Sequence, residues 1–104
     1  MSDDGIDVLK PETVTKPRVE QPRMYKVVLL NDDFTPREFV VHVLKAVFRT
    51  TEDQAYRIMM TAHQKGACVV ATFTRDVAES KASEANDMGR RKGYPLTFST
   101  EPEE

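Results

Sequence analysis

The sequence predicts an α+β domain of order β-α-α-β-α-β: a sandwich of three helices on a small three-stranded antiparallel sheet, preceded by a disordered N-terminal tail. Two observations predict it. Short runs rich in Val, Leu and aromatic residues, at 25–30, 67–73 and 95–98, alternate with longer stretches in which apolar residues recur at helical spacing. Turn and capping residues stand at the joints between them, including Asn31, Thr35, Thr51, Gly66 and Thr74.

Residues 1–23 hold Pro11, Pro17 and Pro22, many charges, no aromatic residue and no strand or helix period. Such a segment cannot bury enough apolar surface to offset its ordering entropy, so a mobile tail is expected. The folded domain is expected over 24–100, and Glu101, Pro102, Glu103 and Glu104 form a short acidic end. Residues 25–30, with Val27, Val28, Leu29 and Leu30, read as a buried strand. Asn31, Asp32 and Asp33 end it, since these residue types favour turns. Thr35 is placed to cap the first helix, with Pro36 at its first position and Glu38 completing a capping box. Phe39, Val40, Val43, Leu44 and Val47 supply its apolar face.

Thr51 and Gln54 form a second capping pair. Ala55, Ile58, Met59 and Ala62 follow as the face of a second helix, which Gly66 stops. The next strand, 67–73, carries Val69 and Val70. Thr74 is placed to cap a third helix, whose face is Val77, Ala78, the stem of Lys81, Ala82, Ala85 and Met88. The stretch from Gly89 to Gly93 ends it, and Pro95 opens a short last strand to Phe98.

Composition narrows the function classes. A chain of 104 residues suits one domain with one modest core. A formal net charge of −2 does not point to nucleic acid, and no apolar run approaches the span of a bilayer. The acidic start has no apolar region, so no signal peptide is expected. One cysteine cannot form an intramolecular disulfide, which suits a reducing cytoplasm.

Few residues invite chemistry. Asn31, Asp32 and Asp33 put acceptors where a buried strand meets a helix, a set suited to an all-donor ligand such as an ammonium. On composition alone, Asx turns without a ligand are the favoured explanation. His63 sits near the apolar edge of the second helix and could add an acceptor nitrogen. The commoner case is a helix C-terminal histidine interacting with the dipole. Cys68 starts an apolar strand with no adjoining base, which favours a small hydrophobe over a nucleophile. Calcium-loop, zinc and phosphate-loop spacings are absent, so no metal or cofactor is expected. Arg90, Arg91 and Lys92 suit a helix C-terminus.

Together, the blocks do resemble a known family. The run Tyr25-Lys26-Val27-Val28-Leu29-Leu30-Asn31-Asp32-Asp33-Phe34-Thr35-Pro36, followed by Glu38-Phe39-Val40, resembles the signature of the ClpS family of bacterial N-end-rule adaptors. Met59-Met60-Thr61-Ala62-His63 with Gly66, then Val77-Ala78-Glu79-Ser80-Lys81 and Pro95-Leu96, match its later blocks, so the likeness spans about 24–100. The resemblance implies a non-catalytic cytoplasmic monomer that binds proteins beginning with Leu, Phe, Tyr or Trp. It would deliver them to the AAA+ unfoldase ClpA of the ClpAP protease.

It further implies that Asn31, Asp33 and His63 hold the α-ammonium and that Asp32 contacts the first peptide units. Thr35, Val40, Met59, Ala62 and Leu96 would line the side-chain pocket, with Arg37 at its mouth. The family usually has Met at the Arg37 position, guarding against β-branched side chains, and a larger aliphatic residue at Ala62. The Arg37 departure implies altered selectivity among first residues and better tolerance of an acidic second residue, and Ala62 implies a wider pocket. Asp76, Glu79 and Lys81 would dock the N-terminal domain of ClpA, with the tail engaging the unfoldase during handover. Two other classes compete: a translation-associated interaction module of related fold, and a hydrolase using Cys68 and His63.

Overall fold

A computed structural model describes residues 22–104, so all of the expected tail except Pro22 and Arg23 lies outside the described residues. Among the described residues the order is β1 (Met24–Leu30), α1 (Arg37–Phe48), α2 (Glu52–Lys65), β2 (Ala67–Thr74), α3 (Arg75–Arg91) and β3 (Thr97–Pro102). β1 is central in a sheet ordered β2-β1-β3, with both pairings antiparallel. The register to β2 shifts between Val27 and Val28, marking a bulge. The expected α+β sandwich is therefore what forms.

Val27 and Leu29 of β1 meet Val40, Val43, Leu44 and Val47 of α1 and Ala55, Met59 and Ala62 of α2 in one core. Ala78, Ala82 and Ala85 bring α3 close to it, and Leu96 and Phe98 complete it. Asn86 of α3 settles the β3 edge. Its Nδ2 donates to the Phe98 carbonyl at 3.0 Å, and its Oδ1 accepts from the Phe98 N–H at 2.7 Å. Both outward backbone groups of that edge residue are thereby satisfied. No described helix is long and apolar enough to cross a membrane.

The Thr51–Gln54 capping box forms in full. Gln54 N–H donates to Thr51 Oγ1 at 3.1 Å, and Thr51 N–H donates to Gln54 Oε1 at 3.0 Å. Gly66 ends α2 in the left-handed region at φ 93°, as the sequence predicts. Thr51→Ala is expected to lower stability by about 1 kcal/mol, seen as a lower urea midpoint at unchanged slope.

Several local expectations are corrected. Thr35 does not cap α1: its hydroxyl donates to Asp32 Oδ2 at 2.9 Å, and Pro36 holds the cap position without a side-chain bond. The box with Glu38 is accordingly not formed. Thr74 holds the α3 cap position but makes no side-chain cap bond either. Val77 is 42% exposed, because the inward stripe of α3 runs through Ala78, Ala82, Ala85 and Gly89, a helical step away. α3 ends at Arg91, within the expected stretch from Gly89 to Gly93, and Gly89 itself is buried inside the helix. β3 starts at Thr97 rather than Pro95 and runs further than expected, with Glu101 opposite Lys26 and Pro102 opposite Tyr25. Half of the expected acidic end is thus strand, and Glu103 N–H donates to the Met24 carbonyl at 2.8 Å.

Candidate functional site

The antiparallel pairing of β1 and β2 brings the end of β1 to the end of α2. Leu30 pairs with Ala67, and the Asn31 N–H donates to the Gly66 carbonyl at 3.0 Å. Asn31 therefore sits beside the last turn of α2, which carries His63. The next residues are folded by Asp32. Its Oδ1 accepts the N–H of Phe34 at 2.8 Å and of Thr35 at 2.7 Å, while Oδ2 takes the Thr35 hydroxyl. Such Asx geometry fixes a turn without help from neighbouring elements. The Asp32 carboxylate is thus engaged within its own loop, whereas Asp33 is exposed and has no side-chain partner among the described residues.

The loop rims a cavity of about 300 Å³. All ten residues expected around a substrate line it: Asn31, Asp32, Asp33, Thr35, Arg37, Val40, Met59, Ala62, His63 and Leu96. Val40, Met59, Ala62 and Leu96 are buried and form its apolar floor, whereas Asn31, Asp33, Arg37 and His63 are exposed at its rim. Leu96 is placed from two sides. Tyr94 N–H donates to the Gly89 carbonyl at 2.9 Å, and the Tyr94 ring meets Phe39 edge-on at 5.0 Å. Leu29, Leu30, Phe34 and Pro36 also line the cavity and were not expected there. Phe34 is 80% exposed; a lone aromatic in a polar turn carries no periodicity that would mark its place in the sequence.

An apolar floor beneath a rim that carries the acceptor groups of Asn31, Asp33 and His63 can hold one large side chain while satisfying a donor-rich cation at its base. The cavity contains no assembled nucleophile. Cys68 does not line it, and burial pushes the thiol up against the smaller opposing pull of Lys65. A raised thiol is mostly protonated at neutral pH and a poor attacking group. Among the described residues no cluster of three His, Cys, Asp or Glu side chains could hold a metal ion.

The three residues expected at an unfoldase interface divide. Asp76 and Glu79 line an exposed depression on α3 with Ser83 and Asp87, and Glu79 accepts a hydrogen bond from Arg75 at 3.1 Å. Lys81 points elsewhere: its Nζ donates to the Val47 carbonyl at 3.0 Å and stands 5.8 Å from the centre of the Phe73 ring. There it satisfies a carbonyl in the last turn of α1.

The sequence and the described fold have close counterparts. Residues 20–99 match the family described as ATP-dependent Clp protease adaptor protein ClpS. The chain is 68% identical over 97 residues to the ClpS 1 adapter of Bradyrhizobium diazoefficiens, spanning 93% of this chain and 96% of that relative. It is 60% identical over 104 residues to the ClpS 2 adapter of Agrobacterium fabrum, spanning 100% of both. A solved structure of Agrobacterium tumefaciens ClpS2 bound to L-phenylalaninamide matches with a TM-score of 0.79 and 61% identity, covering 80% of this chain and 100% of that one.

Proposed function

The chain belongs to the ClpS family of Clp protease adaptors, and from that premise we propose that it binds proteins beginning with Leu, Phe, Tyr or Trp by their free N-terminus and delivers them to ClpA for degradation by ClpAP. The observation that carries this is one cavity joining an apolar floor to a rim of acceptors. L-phenylalaninamide, the ligand of the related structure, has the same three chemical parts as the start of such a protein: an ammonium, an aromatic side chain and an amide.

Asn31, Asp33 and His63 accept from the ammonium, and charge assistance makes those bonds the strong ones. Val40, Met59, Ala62 and Leu96 bury the first side chain, a transfer worth roughly 1.5–3 kcal/mol when complete. Asp32 acts through the loop it folds, presenting Asn31 and Asp33 to the ligand. The chain works as a cytoplasmic monomer without cofactor and without chemistry of its own. Asp76 and Glu79 offer the exposed face for the ClpA N-terminal domain, while Lys81 holds α3 against α1.

Adding the chain to ClpAP is expected to speed degradation of a reporter beginning with Phe. Reversing Asp76 and Glu79 to Lys should abolish that gain and leave peptide binding intact. If the doubly reversed protein still delivers the reporter, the assignment of the α3 face is wrong.

Arg37 replaces a smaller gatekeeper at the mouth and puts a cation where the second residue passes. A Phe-Glu peptide is expected to bind up to about fivefold more tightly than Phe-Lys, the range of an exposed ion pair. Equal affinities in a fluorescence-polarisation titration would remove Arg37 from selectivity at that position.

A further inference from the structure

We propose that the groove between α1 and α2 is a second subsite, which takes the second to fourth residues of the bound chain and favours a bulky apolar side chain among them. The proposal rests on the substrate reading above and extends it. The groove has a volume of about 470 Å³ and adjoins the first cavity, since Arg37 and Met59 line both. A chain leaving the first cavity over its rim at Arg37 reaches it directly.

Length agrees. From Arg37 to Lys45 α1 rises about 12 Å, which an extended chain at about 3.3 Å per residue covers in three to four residues. The far end is closed where Lys45 Nζ meets Glu52 Oε1 at 3.0 Å. Between the ends, Val41 and Tyr56 present apolar surface, and Tyr56 is 52% exposed. The charges along the groove balance, Arg37 and Lys45 against Glu38 and Glu52, so burial rather than net charge does the selecting. Arg37 stands at the junction and meets the second residue, whereas Tyr56 lies one turn of α2 further along and meets the third or fourth.

The test uses L-phenylalaninamide and two free-amine pentapeptides beginning with Phe, one with Ala and one with Leu at positions three and four. The Leu peptide is expected to bind about three- to tenfold more tightly than the Ala peptide, reflecting partial burial of its side chains. Tyr56→Ala should erase that difference while leaving L-phenylalaninamide affinity unchanged. Tyr56 is exposed on a helix, where Ala is well tolerated, and an unchanged melting temperature would establish that the fold is kept. If L-phenylalaninamide binds but the two peptides bind alike, the groove is not a subsite and the first-residue reading stands. If the Leu advantage survives in Tyr56→Ala, the groove assignment is overturned. If L-phenylalaninamide does not bind the wild-type chain, both readings fall.

Discussion

Asp33→Ala is expected to weaken binding of a Phe-first peptide by about ten- to a hundredfold, the equivalent of one charge-assisted hydrogen bond of roughly 1.5–3 kcal/mol. Stability should hardly change, because Asp33 is exposed and its carboxylate has no partner among the described residues. Asp32→Ala should behave differently. It strips three acceptor contacts from Phe34 and Thr35, so the loop loses its geometry and buried Thr35 loses its partner. Both the urea midpoint and the affinity should fall. Peptide titrations beside denaturation curves separate the two roles. If Asp33→Ala leaves affinity unchanged, the exposed acid is not part of the amine site.

The second large effect is expected at Gly89→Ala. In a helix interior Ala is normally favoured over Gly by roughly 0.5–1 kcal/mol. Here an added Cβ would stand 2.9 Å from the Leu96 Cβ, a rigid atom rather than a flexible tip. Overpacking of that kind costs about 1–3 kcal/mol, so the clash outweighs the helical gain. Leu96 must move, and Leu96 is part of the cavity floor. Gly89→Ala should therefore lower the melting temperature and weaken binding of aromatic first residues together. A more stable protein with unchanged affinity would show that Leu96 is not held in place by the close approach of α3.

The features legible in the sequence are those decided locally. Thr51 with Gln54 and the stop at Gly66 need only their own helix, and the spacing of Val40, Val43, Leu44 and Val47 marks a buried face wherever the helix goes. Thr35 looks like a cap for the same local reason, but Asp32 competes for its hydroxyl and wins. Gly89 reads only as part of the stretch that ends α3, because the approach of Leu96, the reason for a glycine there, is tertiary. β3 reads as ending early because Glu101 and Pro102 are poor strand formers; pairing with Lys26 and Tyr25 overrides that preference.

The site follows the same division. Asn31, Asp33 and His63 are each unremarkable in the sequence, and the motif resemblance joined them before any geometry did. Physically they meet because β1 and β2 are antiparallel and Asn31 bonds Gly66 at the end of α2. The α1–α2 groove was not legible at all, since Val41 and Tyr56 lie outside both apolar faces and matter only where the helices pack side by side.

On the proposed function, a free ammonium is read by Asn31, Asp33 and His63. The most direct measurement titrates one labelled peptide beginning with Phe against its N-acetylated twin. Acetylation removes the charge and turns a set of donors into an amide whose oxygen faces acceptors. The free amine should bind, and the acetylated peptide should bind at least about a hundredfold more weakly, as expected when polar groups at a site are left unpaired. Equal binding of the two peptides would contradict the account.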